Sequence, residues 1–224
     1  MEHYLNIKMN EKLFLRNPEE TDLGKKIIQN SIVLIHTIGF ESFNFKKLAQ
    51  KIGTTEAGIY RYFENKQLLL IFIVDWYWSW QEYRIRLHNT NILDPKQQLQ
   101  KAIQILSENV VDDVSTPHIN ETLLYDIVMS EGAKAYLTRN VNVYNEAQLF
   151  KPYKDLSKMI AGLIHQYNPN YLFAESLATS ILEMSHSLNF YNKNLPALTG
   201  FSINNNVYKI GDFLEHLVFT TIVC

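Results

Sequence analysis

A chain of 224 residues, 46% hydrophobic and 20% charged, is long enough for one large or two small cored domains and too apolar to be disordered. Its formal net charge of −2 carries no whole-chain sign of a nucleic-acid partner, and its single cysteine, Cys224, excludes an internal disulfide framework. Charged and polar residues interrupt the first sixteen positions, and the most apolar run, Leu68–Val74, ends at Asp75 after too few residues to cross a bilayer. The sequence therefore predicts no secretion signal, no membrane partner and a cytoplasmic location.

Glycine and proline are scarce, hairpin dipeptides are absent, and apolar residues recur at helical spacing. The expected fold is all-α, with about nine helices. Asn17 or Thr21 can cap the first helix, with Leu23, Ile27, Leu34, Ile35 and Ile38 as its apolar stripe and Gly39 as its end. Asn44 can cap a short second helix that buries Phe45, Leu48, Ala49 and Ile52. Gly53 then turns the chain, and Thr55 can cap a third helix running to Tyr62 or Phe63. Asn65 offers a cap for a fourth helix, Lys66 to about His88. Further helices are expected over Pro95–Val111, His118–Ser130, Asn145–Tyr167 (regular only after Pro152), Asn170–Tyr191 and Val207–Val223, with a loop at Asn204–Asn206.

Two short helices joined by a tight glycine turn form a helix-turn-helix, whose last helix lies in the DNA major groove. The residues up to Lys66 carry a surplus of two positive charges, and the remainder a surplus of four negative. Gly39-Phe40, the run Asn44 to Ala49, Ile52 to Thr55, Ile59 to Phe63, Asn65-Lys66 and Leu68-Leu69 follow one another without gaps between Leu23 and Leu70. This series resembles the signature of the TetR/AcrR family of transcriptional regulators.

The resemblance implies a three-helix DNA-binding domain over residues 1–65 and a larger helical effector-binding and dimerisation domain over 66–224. It implies that Tyr60, Tyr62 and Lys66 grip the sugar-phosphate backbone. The N-terminus of the fourth helix adds partial positive charge beside Lys66. Thr55 can also offer its hydroxyl to a phosphate. Base reading falls to Glu56, Ala57, Gly58 and Arg61: arginine pairs with guanine, a carboxylate accepts from cytosine, and alanine touches a thymine methyl. Four residues have a plainer alternative: Tyr60 and Tyr62 as packing aromatics, Glu56 as a cap, and Lys46 as part of a solvated face with Lys47 and Lys51. The first twenty residues hold three cations against four anions, which argues against a basic arm in the minor groove.

For the body, the resemblance implies a ligand cavity and a homodimer formed by the last two long helices. Leu177, Ile181, Met184 and Leu188 with Phe213, Leu217 and Thr220 are the expected seam, with filling of the intramolecular core as the alternative. The aromatic density of the fourth helix makes Trp76, Trp80 and Tyr83 candidate pocket walls, joined by Tyr125, Met129, Tyr153, Tyr167 and His186, for a small hydrophobic effector. The same residues read equally as core. No metal-ligand spacing, phosphate loop or nucleophile elbow is present, so neither catalysis nor a cofactor is expected. The expected function is transcriptional regulation, as a dimeric repressor on a palindromic operator that is released by the effector. The alternative is a helical ligand-binding or interaction protein with a vestigial DNA-binding head.

Overall fold

The computed structural model describes residues 7–201 and 209–222. All regular structure among them is helical. In chain order the helices are α1 Asp22–Ser42, α2 Phe45–Ile52, α3 Glu56–Tyr60, α4 Lys66–Asn89, α5 Pro95–Ser107, α6 Glu121–Glu131, α7 Ala133–Tyr136, α8 Val141–Glu146, α9 Lys151–Tyr167, α10 Ala174–Asn194 and α11 Ile210–Ile222, with 3-10 turns at Glu11–Leu13, Pro18–Glu20 and Pro196–Leu198. The two helices beyond the expected nine are the short α7 and α8. The expected loop at Asn204–Asn206 and the last residues of the final helix lie outside the described residues.

Local capping chemistry fixes most boundaries. Thr21 accepts from the Gly24 N–H at 3.0 Å to start α1, while Asn17 caps the preceding 3-10 turn, with Pro18 in its first position. Asn65 accepts from Leu68 N–H at 3.0 Å and so opens α4, and Asp94 caps α5. Gly39 bends α1 instead of ending it: it takes φ 74°, ψ 156°, and helical residues resume through Ser42. The buried face of α1 is also rotated from the expected stripe. Ile27, Ile28, Ser31, Ile32 and Ile35 are buried, whereas Leu34 and Ile38 lie half-exposed.

The chain folds as two compact units, Met1–Trp78 with Val110–Pro152, and Ser79–Asn109 with Tyr153–Cys224. These units do not follow a division at residue 65. In the first unit α1 packs along α6 as well as on α2, and this long-range packing joins residues 110–152 to the N-terminal helices. Its core includes Ile28, Ile32, Leu48, Ile59 and Phe63, all fully buried. The stretch before α1 is folded too. Leu13 is fully buried, Leu15 N–H donates to the Tyr62 carbonyl at 2.8 Å, and the Asn10 side-chain amide donates to the Ala147 and Gln148 carbonyls.

In the second unit α10 packs on α5 and α11. Ala178, Ile181 and Leu182 of α10 and Leu214 and Val218 of α11 are buried. Ile181 is thus core and not part of an outward seam, whereas Leu177, Met184, Leu188 and Leu217 are half-exposed and Phe213 and Thr220 exposed. No described helix is long and apolar enough to cross a membrane.

Candidate nucleic-acid interface

The paired short helices are built by three local devices. Asn44 accepts from Lys47 N–H at 2.9 Å and starts α2. Gly53 ends it in the left-handed region, φ 75°, ψ 37°, so the N–H groups of Gly53 and Thr54 both reach the Ala49 carbonyl at 3.0 Å. A side chain at that backbone conformation is strained, which is why glycine suits the turn. Thr55 then accepts from Gly58 N–H at 3.1 Å to start α3. Phe45, Leu48, Ala49 and Ile59 are buried between the helices, and the small Ala49 lets them approach.

With those residues turned inward, Lys46, Thr55, Glu56, Ala57, Tyr60 and Arg61 are left exposed and Gly58 half-exposed. They form one polar edge of the first unit. Lys46 and Arg61 make no hydrogen bond or ion pair among the described residues, so both cations are available to an anionic partner. Thr55 uses an oxygen lone pair in capping and keeps its O–H to donate. Tyr60 combines both readings of it: its ring packs edge-on against Phe45 at 5.0 Å between centroids, yet 47% of the residue is exposed.

Two expected phosphate grips are placed otherwise. Tyr62 is buried, and its hydroxyl bonds Thr21 Oγ1 at 2.8 Å, tying the end of the helix-turn-helix to the α1 cap. A ring enclosed in this way has no face for DNA. Lys66 Nζ donates to the carbonyls of Phe40, Glu41 and Phe43 at 3.0, 3.2 and 3.1 Å and lies 4.6 Å from the Phe40 ring centroid. Its three donors close the C-terminal end of α1, where carbonyls lack helical partners. Lys66 is therefore a positioning residue for the head.

A further polar tie joins α1 to α6 and α7. Glu131 accepts from Phe40 N–H at 3.1 Å, Lys134 bridges Glu131 and Glu41, and His36 pairs with Asp126 at 3.2 Å. The Lys134 hydrogen bond holds the Glu41 carboxyl below the usual carboxylate range. These partners lie about ninety residues apart in sequence, and no local pattern announces them.

The eight candidate pocket residues differ in burial. Trp76, Trp80 and Tyr125 are buried side chains, while Tyr83 is 41% exposed. Met129 is half-buried. Tyr153 donates to Glu183 at 2.7 Å, and Tyr167 packs edge-on against Phe219. The His186 Nδ1–H donates to the Leu182 carbonyl at 2.8 Å, and burial pushes its pKa down, so the imidazole is neutral. A cleft of about 650 Å³ opens within the second unit between the C-terminal half of α4, Gln98 of α5 and α9, and none of the eight lines it.

Two short helices that share a buried core and leave one edge exposed, followed by further helices, form a helix-turn-helix fold. Residues 27–71 match the family model of bacterial regulatory proteins, tetR family, which identifies the N-terminal domain as that of the TetR family. The whole chain is similar to AibR, solved with isovaleryl coenzyme A and operator DNA (TM-score 0.57, 16% identity, 88% of this chain and 98% of that one). It is also similar to the fatty acid degradation regulator FadR from Bacillus halodurans (0.58, 15%, 86% and 96%) and to a TetR-family transcriptional regulator from Agrobacterium tumefaciens (0.56, 20%, 89% and 98%). No curated protein matches the sequence.

Proposed function

We propose that the protein is a dimeric transcriptional repressor that binds a palindromic operator and is released by a small molecule held in its helical body. The observation that carries this reading is the exposed edge of α3 and its neighbours, where Arg61 and Lys46 have no hydrogen-bond or ion-pair partner among the described residues and Thr55 is exposed as well. Arg61, Glu56, Ala57 and Gly58 read bases; Lys46, Thr55 and Tyr60 hold the backbone. A single reader of this size makes too few contacts for a specific site. Two related by a twofold axis engage half-sites about one helical turn apart. The outward apolar residues of α10 and α11, Leu177, Met184, Leu188, Phe213 and Leu217, supply a self-complementary face for that pairing. The tie between Phe40 and Glu131 gives α6 a direct hold on the head, through which a change in the body alters reader spacing.

The division of labour is testable by titrating duplexes at several salt concentrations. Arg61→Ala is expected to weaken the preferred site by about 1–3 kcal/mol and to relax its sequence preference. Lys46→Ala is expected to weaken preferred and random DNA alike and to reduce the salt slope by about one. Equal loss on both DNAs from both substitutions would reject these roles.

A further inference from the structure

The residues of the cleft in the second unit differ in whether their polar groups are already engaged. On the α4 wall, Glu82 accepts from both Nε and Nη2 of Arg86, at 2.8 and 2.6 Å, which neutralises that pair. Asn89 donates its amide to the Gln98 carbonyl at 3.2 Å, but its Oδ1 is sealed from solvent with no hydrogen-bond partner. On the α9 wall the Asp155 side chain is already engaged, whereas Lys158 and Gln166 make no hydrogen bond or ion pair among the described residues. The uncommitted groups open to the cleft are therefore one cation and one amide. Ile85, Met159 and Leu163 supply the apolar lining.

Gly162 is a second, independent observation. A glycine inside a helix is about 1 kcal/mol less favourable than alanine, and it normally has a packing reason. Gly24 has one, since an added Cβ would come within 2.2 Å of the Pro18 carbonyl oxygen. At Gly162 an added Cβ would meet nothing within 4 Å. No neighbour demands the glycine; its effect is to keep the cleft open at mid-helix.

We propose that this cleft binds a small organic anion, a carboxylate with an apolar body and one hydrogen-bond donor. The acid pairs with Lys158, the body lies over Ile85, Met159 and Leu163 through the gap at Gly162, and the donor bonds the Gln166 side-chain carbonyl. A volume of about 650 Å³ is within the range that encloses such molecules. As the effector site of the regulator this assignment rests on the proposed function; the binding itself does not.

The test uses the full chain and three probes, 3-hydroxyoctanoate, octanoate and octylammonium, with thermal shift and titration calorimetry as readouts. The hydroxy acid is expected to raise the melting temperature with dose, octanoate to do so less, and the amine not at all. Lys158→Ala and Gly162→Leu are each expected to weaken hydroxy-acid binding at least tenfold. Gly162→Leu, which fills open space, keeps or raises the melting temperature without ligand. Equal binding of amine and acid, wild-type affinity in both variants, or no shift from either acid would overturn the proposal. Binding of acid by a protein that binds no DNA would sink the regulator reading and leave the cleft standing. DNA binding without acid binding would do the reverse.

Discussion

Replacing Phe63 with alanine is expected to lower the unfolding free energy by about 3–5 kcal/mol, the range for a buried phenylalanine truncated in a core, and to abolish DNA binding. Phe63 follows α3 directly. Its side chain is fully buried, and its ring meets Phe72 of α4 edge-on at 5.5 Å between centroids. Phe72 in turn meets Phe14 at 6.2 Å. The row of rings Phe63, Phe72 and Phe14 thus connects the end of α3, the long helix and the folded leader. Removing Phe63 leaves a cavity at the α3 end of that row. Urea denaturation measures the stability change and duplex titration the binding. Phe63→Leu, which retains most of the volume, should lose substantially less of both. A loss below about 1 kcal/mol for the alanine variant would show that the reader is not held by this cluster.

Asp75→Asn should act in the opposite direction and stabilise the protein at neutral pH by about 1–3 kcal/mol, the magnitude of an unmet buried polar group. Asp75 is 2% exposed on α4, and its Oδ2 is buried with no hydrogen-bond partner. Burial pushes its carboxyl well above the ordinary value of 3.8. The folded protein consequently keeps this proton to higher pH than the unfolded chain does. Between pH 3.8 and the raised folded value, the native state binds more protons, so stability falls as pH rises through that window and is level above it. Asparagine removes the titration. The variant's advantage should be largest at neutral pH and shrink towards pH 4, as followed by chemical denaturation across pH. A variant no more stable than the parent at pH 7, with the same pH slope, would show that the carboxyl finds a partner on folding.

The features legible in the sequence are those governed by short-range chemistry. Asn44, Thr55, Asn65 and Asp94 cap helices within three residues of themselves, and Gly53 adopts its turn without help from afar, so the whole helix-turn-helix could be read from spacing alone. What the resemblance and the apolar pattern placed otherwise depends on partners distant in sequence. Tyr62 and Lys66 carry groups suited to phosphate, yet Thr21 takes the first and the carbonyls at the end of α1 take the second. The leader has no helical periodicity because its place is set by hydrogen bonds to Tyr62, Ala147 and Gln148. The apolar stripe of α1 was displaced because Ile28 and Ile32 satisfy the same periodicity as Leu34 and Ile38, and only the packing of α1 decides between them. Trp76 and Trp80 have the composition of a binding wall and the burial of a core. The cleft residues Asn89, Lys158 and Gly162 are individually ordinary and acquire meaning only where α4 and α9 face each other.

Selection of bound sequences from a pool of random duplexes tests the central claim most directly, because it asks whether the edge formed by Lys46, Thr55–Gly58, Tyr60 and Arg61 reads DNA at all. An enriched site with twofold symmetry is expected, half-sites about one helical turn apart, with a base preference that weakens in Arg61→Ala. Enrichment of no sequence, or of one that Arg61→Ala selects just as strongly, would show that this edge does not read DNA.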